Sequence, residues 1–329
     1  MLGIAKQPIY GGRNRVPIWV VWGNDGSPVP VSNVSNDGIT WVQSSDTTDI
    51  TAPLDLLTGR GRLVRMGGGT TGDIIAQYSL DGTHWFDSNL TDVANQDPTG
   101  SAYGNGTFVI TFESLFSTFP PNYAWSIDGV TWTSSSLPNT PVDNNRREVS
   151  FGSGYFVAPA SRSTFPPYIT TLEFSAPGRA SWSSATLPLS NKAAWVAFSG
   201  NNRFFVAPGT GTFTGYESTN QGSSWTTRTF TGGNFLANNF GNGVYLSAGG
   251  LNTGTNVLYG ATYYLSSNGY QWTSQANTLS LERIIFYNGL FVGVNGTGET
   301  VATSSDLVTW TTLTTTAPIM SGVYAIAIA

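Results

Sequence analysis

The chain has 329 residues, 14 lysines and arginines against 19 aspartates and glutamates, a net charge of −5 and no cysteine. Without cysteine there is neither a disulfide framework nor a thiolate metal site, and an acidic balance with no Lys/Arg stripe argues against a nucleic-acid footprint. No stretch approaches the ~18 consecutive apolar residues of a membrane-spanning helix, and an aromatic content of 13% with 39 glycines is unlike a disordered tail.

In chain order, residues 1–15 (MLGIAKQPIYGGRNR) lack the apolar core of a signal peptide and read as a short extended arm. Ile18-Trp19-Val20-Val21-Trp22 then reads as the second strand of a unit that has no first strand. From there a phrase recurs: serine, any residue, aspartate or asparagine, glycine, two residues, tryptophan. It is nearly perfect at Ser35-Asn36-Asp37-Gly38-Ile39-Thr40-Trp41, and again at Ser79 to Trp85 with Asp81 and Gly82. Two further good copies are Ser126 to Trp132, with Asp128 and Gly129, and Ser266 to Trp272, with Asn268 and Gly269. Worn copies run from Ser175 to Trp182, from Ser218 to Trp225 with Asn220 and Gly222, and from Ser304 to Trp310 with Asp306.

Glycine takes positive φ without steric cost, the aspartate or asparagine bonds nearby amides, and the serine closes the loop from its other side. Each phrase is therefore a tight turn, and the tryptophan lands on the outgoing strand, where its ring can cover the gap between neighbouring sheets. All seven tryptophans persist while Pro177 and Leu307 replace turn residues, so the apolar wedge is expected to matter more than any single turn contact. Upstream of most copies, apolar runs flank an Asn-Gly-like pair, as at Asn105-Gly106, Ser153-Gly154, Asn201-Asn202, Asn242-Gly243 and Asn288-Gly289. Those are hairpin signals. Each unit then holds four strands, and four-stranded units at a period of 38 to 50 residues (tryptophans 41, 85, 132, 182, 225, 272 and 310) give a radial repeat.

The expected fold is all-β: a seven-bladed β-propeller of four-stranded antiparallel blades over 16–329. The C-terminal strand Tyr324-Ala325-Ile326-Ala327-Ile328-Ala329 joins the N-terminal blade, because it falls at the offset where other units place their first strand.

The serine–aspartate–glycine–tryptophan phrase resembles the Asp-box, or bacterial-neuraminidase repeat, of sialidase-like β-propellers, over nearly the whole chain. The resemblance implies a fold and several functions, since propellers with this box include hydrolases, receptors, assembly factors and structural proteins. A sialidase site would need three arginines on the substrate carboxylate, a tyrosine nucleophile paired with a glutamate, and an acid/base aspartate. Asn14-Arg15-Val16-Pro17 stands where the first arginine would be but lacks the leading aromatic, and no phrase assigns the other two. No pair of carboxylates facing one cleft is identifiable. The single histidine, His84, occupies a variable turn position, and the box aspartates are isolated in separate repeats, which makes them turn caps. No catalytic residue, metal site or cofactor is assigned.

The expected function is that of a non-enzymatic structural and interaction protein: a bacteriophage virion component (tail nozzle, fibre or decoration) assembled in the host cytoplasm. It would dock on neighbouring virion proteins or on the host surface, the arm reaching neighbouring subunits, with no nucleic acid and no membrane span. A repeated Ser-Thr-Phe-Pro-Pro phrase supplies candidate interface residues Phe119, Pro120, Pro121, Phe165, Pro166 and Pro167. Arg146 and Arg147 form a further candidate contact in a loop between blades. The alternative is a glycan-binding or glycan-hydrolysing sialidase-like propeller, with a host-surface glycan or receptor as ligand.

Overall fold

The computed structural model describes residues 17–24, 30–44, 48–69, 73–90, 93, 96–114, 123–136, 149–161, 169–175, 182–188, 196–200, 202–207, 213–232, 238–248, 261–296, 299–314 and 322–328. Their regular structure is entirely strand, arranged as seven four-stranded antiparallel sheets. Sheet 1 takes its innermost strand from the C-terminal part of the chain, Gly322–Ile328, followed outward by Trp19–Asn24, Val31–Ser35 and Val42–Gln43. Sheets 2 to 7 each use four consecutive strands, over 50–87, 96–135, 150–188, 196–230, 238–276 and 281–314. Trp19 pairs with Ile328 and Val21 with Ile326, so the closure expected from the two orphan strands is the one formed.

Innermost strands follow one another in a closed cycle. Gly322–Ile328 touches Ile50–Gly59, which touches Gln96–Gly104; contact passes through Ser150–Gly152, Val196–Gly200, Asn238–Gly241 and Leu281–Tyr287 and returns to Gly322–Ile328. This is a β-propeller arrangement. Strand burial follows from it. Second strands are covered on both faces, as Arg62–Gly69 is even with Arg65 inside it, and others carry apolar runs such as Phe204-Phe205-Val206. Outermost strands such as Phe86–Asp87 and Thr273–Ala276 face solvent and are polar or short.

The core lies in the seams between sheets, and the repeated tryptophans fill them. Trp85 of sheet 2 packs with Val20, Trp22 and Val34 of sheet 1, and Trp132 of sheet 3 with Val64 and Met66 of sheet 2. Trp182 meets Tyr123 edge-on at 5.5 Å, and Trp225 sits by Val157 of the sheet before it. Trp272 packs with Phe205 and Phe230, Trp310 with Leu246 and Tyr263, and Trp41 with Val292, Val294 and Val301 of sheet 7. Each ring bridges its own sheet to the preceding one. An aromatic side chain buries ~150–250 Å², worth about 4–6 kcal/mol of transfer free energy at ~25 cal/mol per Å² before entropic costs.

Candidate functional site

Two kinds of turn meet at one end of the ring. In sheets 2 to 7 first and second strands join in hairpins there, and third and fourth strands join through the repeated serine phrase, here called the box turn. At Ser35–Trp41 the serine Oγ accepts the amides of Gly38 at 2.8 Å and Asp37 at 3.2 Å, and donates to Asp37 Oδ1 at 2.8 Å. The same Oδ1 accepts the amides of Ile39 at 2.8 Å and Thr40 at 2.7 Å. Gly38 has φ 73°, and the Trp41 indole donates to its carbonyl at 3.1 Å. One serine oxygen and one carboxylate oxygen thus satisfy four backbone amides that the turn leaves without strand partners.

The pattern repeats with Ser79, Asp81, Gly82 and Trp85 and with Ser126, Asp128 and Gly129. Asn268 replaces the carboxylate by its amide oxygen, accepting from Tyr270 and Gln271, while Gly269 donates to Ser266. In the copy lengthened by one residue, Gln221 absorbs the insertion at φ 65°; Gly222 still reaches Ser218 Oγ at 2.9 Å and Asn220 still accepts the amide of Ser224. Where glycine is lost, Leu307 takes its place at φ 62° and donates its amide to Ser304 at 2.8 Å. Its side chain is fully buried, its carbonyl accepts from Tyr263, and Trp310 donates to that tyrosine's oxygen at 3.0 Å. Trp182 begins a strand, and residues 176–181 of its turn lie outside the described residues.

Box turns also staple the seams. Ser44 of sheet 1 donates to the Thr83 carbonyl in the turn of sheet 2. Ser88 of sheet 2 donates to the Gly129 carbonyl at 2.8 Å, and Arg62 to the Asp128 carbonyl at 2.6 Å. Thr231 and Tyr270 join sheets 5 and 6 through a backbone amide at 3.0 Å, and Asn242 of sheet 6 donates to Gly289 and Ser305 of sheet 7. A Cβ on Gly82 would meet Val20 at 2.8 Å and one on Gly129 would meet Val64 at 2.7 Å, so these turns lie flush on the preceding sheet.

The carboxylates are held ionised. The amides of Thr40 and Ile39 and the hydroxyl of Ser35 lower Asp37 to about 2. At Asp81 burial pushes upward, but the backbone and ring of His84 and the amide of Thr83 outweigh it and leave the group well below the usual range. Asp128 is lowered by the Thr131 and Val130 amides against a burial effect of opposite sign. At Asp306 the Thr309 and Val308 amides do the same work.

Beside these charges the box-turn face is apolar over part of its circumference. Ile39, Leu80, Ile127 and Val308 stand in the turns of sheets 1, 2, 3 and 7 with 42, 59, 53 and 56% of their surfaces exposed. Leu290 follows the hairpin of sheet 7, and Val42 and Phe86 open the outermost strands of sheets 1 and 2; all three are exposed. Sheets 7, 1, 2 and 3 are consecutive around the ring, so these side chains form one arc. Sheets 5 and 6 differ: their turns carry Asn220 and Asn268 where the arc has aspartate, with Thr219, Ser223, Ser267 and Gln271 around them.

Two polar clusters lie within the sheets. Arg65 is fully buried, donates to Gln77 at 2.8 Å and Ser32 at 3.2 Å, and stacks over Trp85 at 4.2 Å. Glu217, 2% exposed, binds Arg228 at 2.6 Å and Arg203 at 3.0 Å, and Arg228 stacks on Tyr270. The arginines of these clusters belong to sheets 2 and 5 and do not converge on one anion-binding point. Among the described residues no group of three or more His, Asp or Glu could hold a metal. The candidate interface residues Phe119, Pro120, Pro121, Phe165, Pro166, Pro167, Arg146 and Arg147 lie outside the described residues, as do Arg15 and the arm.

Three features escaped the sequence reading. Arg60-Gly61, at φ 49° and 75°, turns the hairpin of sheet 2, its glycine the only cue. The arginine–carboxylate pairs of sheet 5 join strands that alternation alone does not register. Gly59, Gly104 and Gly241, which end innermost strands, are covered by the rings of Tyr103, Phe151 and Phe286 from the following sheets.

No protein-family model and no curated protein matches the chain. Solved structures do resemble it. Apo AztD from Citrobacter koseri is 10% identical with a TM-score of 0.55 over 96% of this chain and 98% of its own. A catalytically inactive variant of virginiamycin B lyase from Staphylococcus aureus, solved with quinupristin, is 10% identical with a TM-score of 0.57 over 86% of this chain and 92% of its own. A likeness at such identity establishes the fold alone: the chain is an all-β protein of β-propeller architecture.

Proposed function

We propose that the protein is a non-enzymatic interaction propeller, a bacteriophage virion component that docks on neighbouring virion proteins or on the host surface. In this reading residues 16–329 make one ring of seven blades of the Asp-box, sialidase-like type, preceded by an arm of residues 1–15. The observation that carries the reading is the arc of exposed apolar side chains on a face whose turns are fastened by their own hydrogen bonds and by the seams. Exposed apolar side chains grouped on a rigid frame are contact material. The recurring chemistry of the repeat is meanwhile spent on the turn itself, since the Oδ1 of each box aspartate already accepts backbone amides.

The test combines a glycan array with a fluorogenic sialoside assay and immunogold labelling of phage lysates. Labelled particles with no turnover support the reading. Sialoside turnover overturns it in favour of a hydrolase, and glycan binding without particle labelling overturns the virion assignment in favour of a free lectin.

A further inference from the structure

The N-terminal segment and the arc have complementary chemistry, and the fold places them together. Residues 1–16 contain Lys6, Arg13 and Arg15, no acidic residue, and the apolar Leu2, Ile4, Ile9 and Tyr10. Trp19 pairs with Ser35, the first residue of the box turn of sheet 1, so the point at which residues 1–16 are joined to the described chain is an exit at the box-turn end. The ring of Trp19 lies 3.4 Å from where a Cβ on Gly38 would stand, which puts that exit beside the turn itself. Sheet 1 is flanked by sheets 7 and 2, so the exit falls inside the arc, not across the ring from it. Within the box turns of that arc each exposed apolar residue has an aspartate next to or within two residues of it: Asp37 by Ile39, Asp81 by Leu80, Asp128 by Ile127 and Asp306 by Val308.

We propose that the arc formed by the box turns of sheets 7, 1, 2 and 3 is the docking surface of the chain's own residues 1–16. Cationic side chains of the arm sit among the box carboxylates, and its apolar residues cover Ile39, Leu80, Ile127 and Val308. Reach is sufficient: sixteen extended residues span up to ~50 Å, against ~30 Å for the three ~10 Å steps across four packed sheets. A tethered segment acts at an effective concentration in the millimolar range, which favours the chain's own arm over that of another copy. Outside the arc, on sheets 5 and 6, Asn220 and Asn268 stand where the arc has carboxylates. This proposal concerns the free chain: docking on a partner through the same arc, as the virion reading has it, requires the arm to leave it.

The full-length chain tests it directly. Equal amounts of ¹⁴N- and ¹⁵N-labelled protein are mixed and coupled with a zero-length carbodiimide, and the cross-linked peptides are sequenced. Lys6 is one of only two lysines, so Lys192 is an internal control. The expected result is coupling of Lys6 to Asp37, Asp81, Asp128 or Asp306 in isotopically unmixed pairs, at several times the yield from Lys192. Mixed pairs would move the arm to a neighbouring copy and overturn the proposal. Coupling of Lys6 to other carboxylates, or to none, would overturn it as well. As a second measurement, hydrogen exchange at the amides of residues 39–40, 83–84, 130–131 and 308–309 is compared between the native chain and K6E/R13E/R15E. Exchange should rise at least threefold there and stay unchanged at residues 270–271; equal exchange in both proteins would sink the idea.

Discussion

A single carboxylate oxygen organises the box turns of sheets 1, 2, 3 and 7, and its consequences are readable by titration. Asp37 is lowered to about 2 because the amides of Thr40 and Ile39 and the Ser35 hydroxyl all donate to it. The folded pKa lies below the unfolded one, so the group's contribution is complete above the unfolded value near 3.8 and is lost as pH falls through about 2. Carboxyl NMR should find Asp37 titrating near 2; a midpoint near 4 would mean the turn is not formed as described. Asp37→Asn should keep the fold and remove that titration, because Asn268 already fills the same role with its amide oxygen. Leu307 makes a second residue-scale case. It holds a left-handed backbone that ordinarily costs ~1–2 kcal/mol, yet its side chain is fully buried with Tyr263 and Leu246. Truncating a buried leucine costs ~2–5 kcal/mol, so burial wins and Leu307→Gly should destabilise by about 1–3 kcal/mol in urea unfolding. The sequence exposes the loss of glycine there, but not the gain in packing, because the partners come from another sheet.

Among elements, the hairpins separate what local sequence dictates from what the ring dictates. Asn-Gly pairs at positive φ, such as Asn242-Gly243 at 46° and 78°, are legible because both central residues need left-handed backbone and only short-range chemistry is involved. The glycine that ends the preceding strand is not legible, because its reason lies in the next sheet. A Cβ on Gly104 would come within 2.0 Å of the Phe151 ring, and one on Gly241 within 2.1 Å of Phe286. These rings are themselves wedged: Phe151 lies 4.8 Å from Phe156 and Phe286 lies 4.9 Å from Phe291. Gly104→Ala must therefore push a packed ring aside, and overpacking of this kind costs ~1–3 kcal/mol. Gly243→Ala meets nothing within 4 Å and should lose only the left-handed backbone cost, ~1–2 kcal/mol, without a displaced ring to add to it. Thermal unfolding of the two variants should rank them in that order; equal shifts would show that the inter-sheet contact is slack.

At the scale of the molecule, the ends of the chain meet in one sheet, and this was legible from offsets alone: an orphan second strand near the start and an orphan first strand near the end. The arc on the box-turn face was not, because Ile39, Leu80, Ile127 and Val308 occupy variable positions of the phrase and gain meaning only when sheets 7, 1, 2 and 3 are seen to be neighbours. Closure makes the stability of the ring depend on its last strand. Ile326 and Ile328 are buried with Val292, Val294 and Trp41, and Ala327 with Trp22 and Val20, so one strand enters the seams on both sides of sheet 1. Removing it leaves Trp19–Asn24 as an open edge, with apolar neighbours exposed on sheets 7 and 2, a template for association between chains. Interfaces between successive units carry much of the stability of a repeat protein, and this deletion weakens two at once. Deleting residues 320–329 should therefore lower the melting temperature by well over 10 °C or shift the protein into aggregates, and a synthetic 320–329 peptide added during refolding should restore part of the loss. A monomeric deletion variant with an unchanged melting temperature would refute the closure.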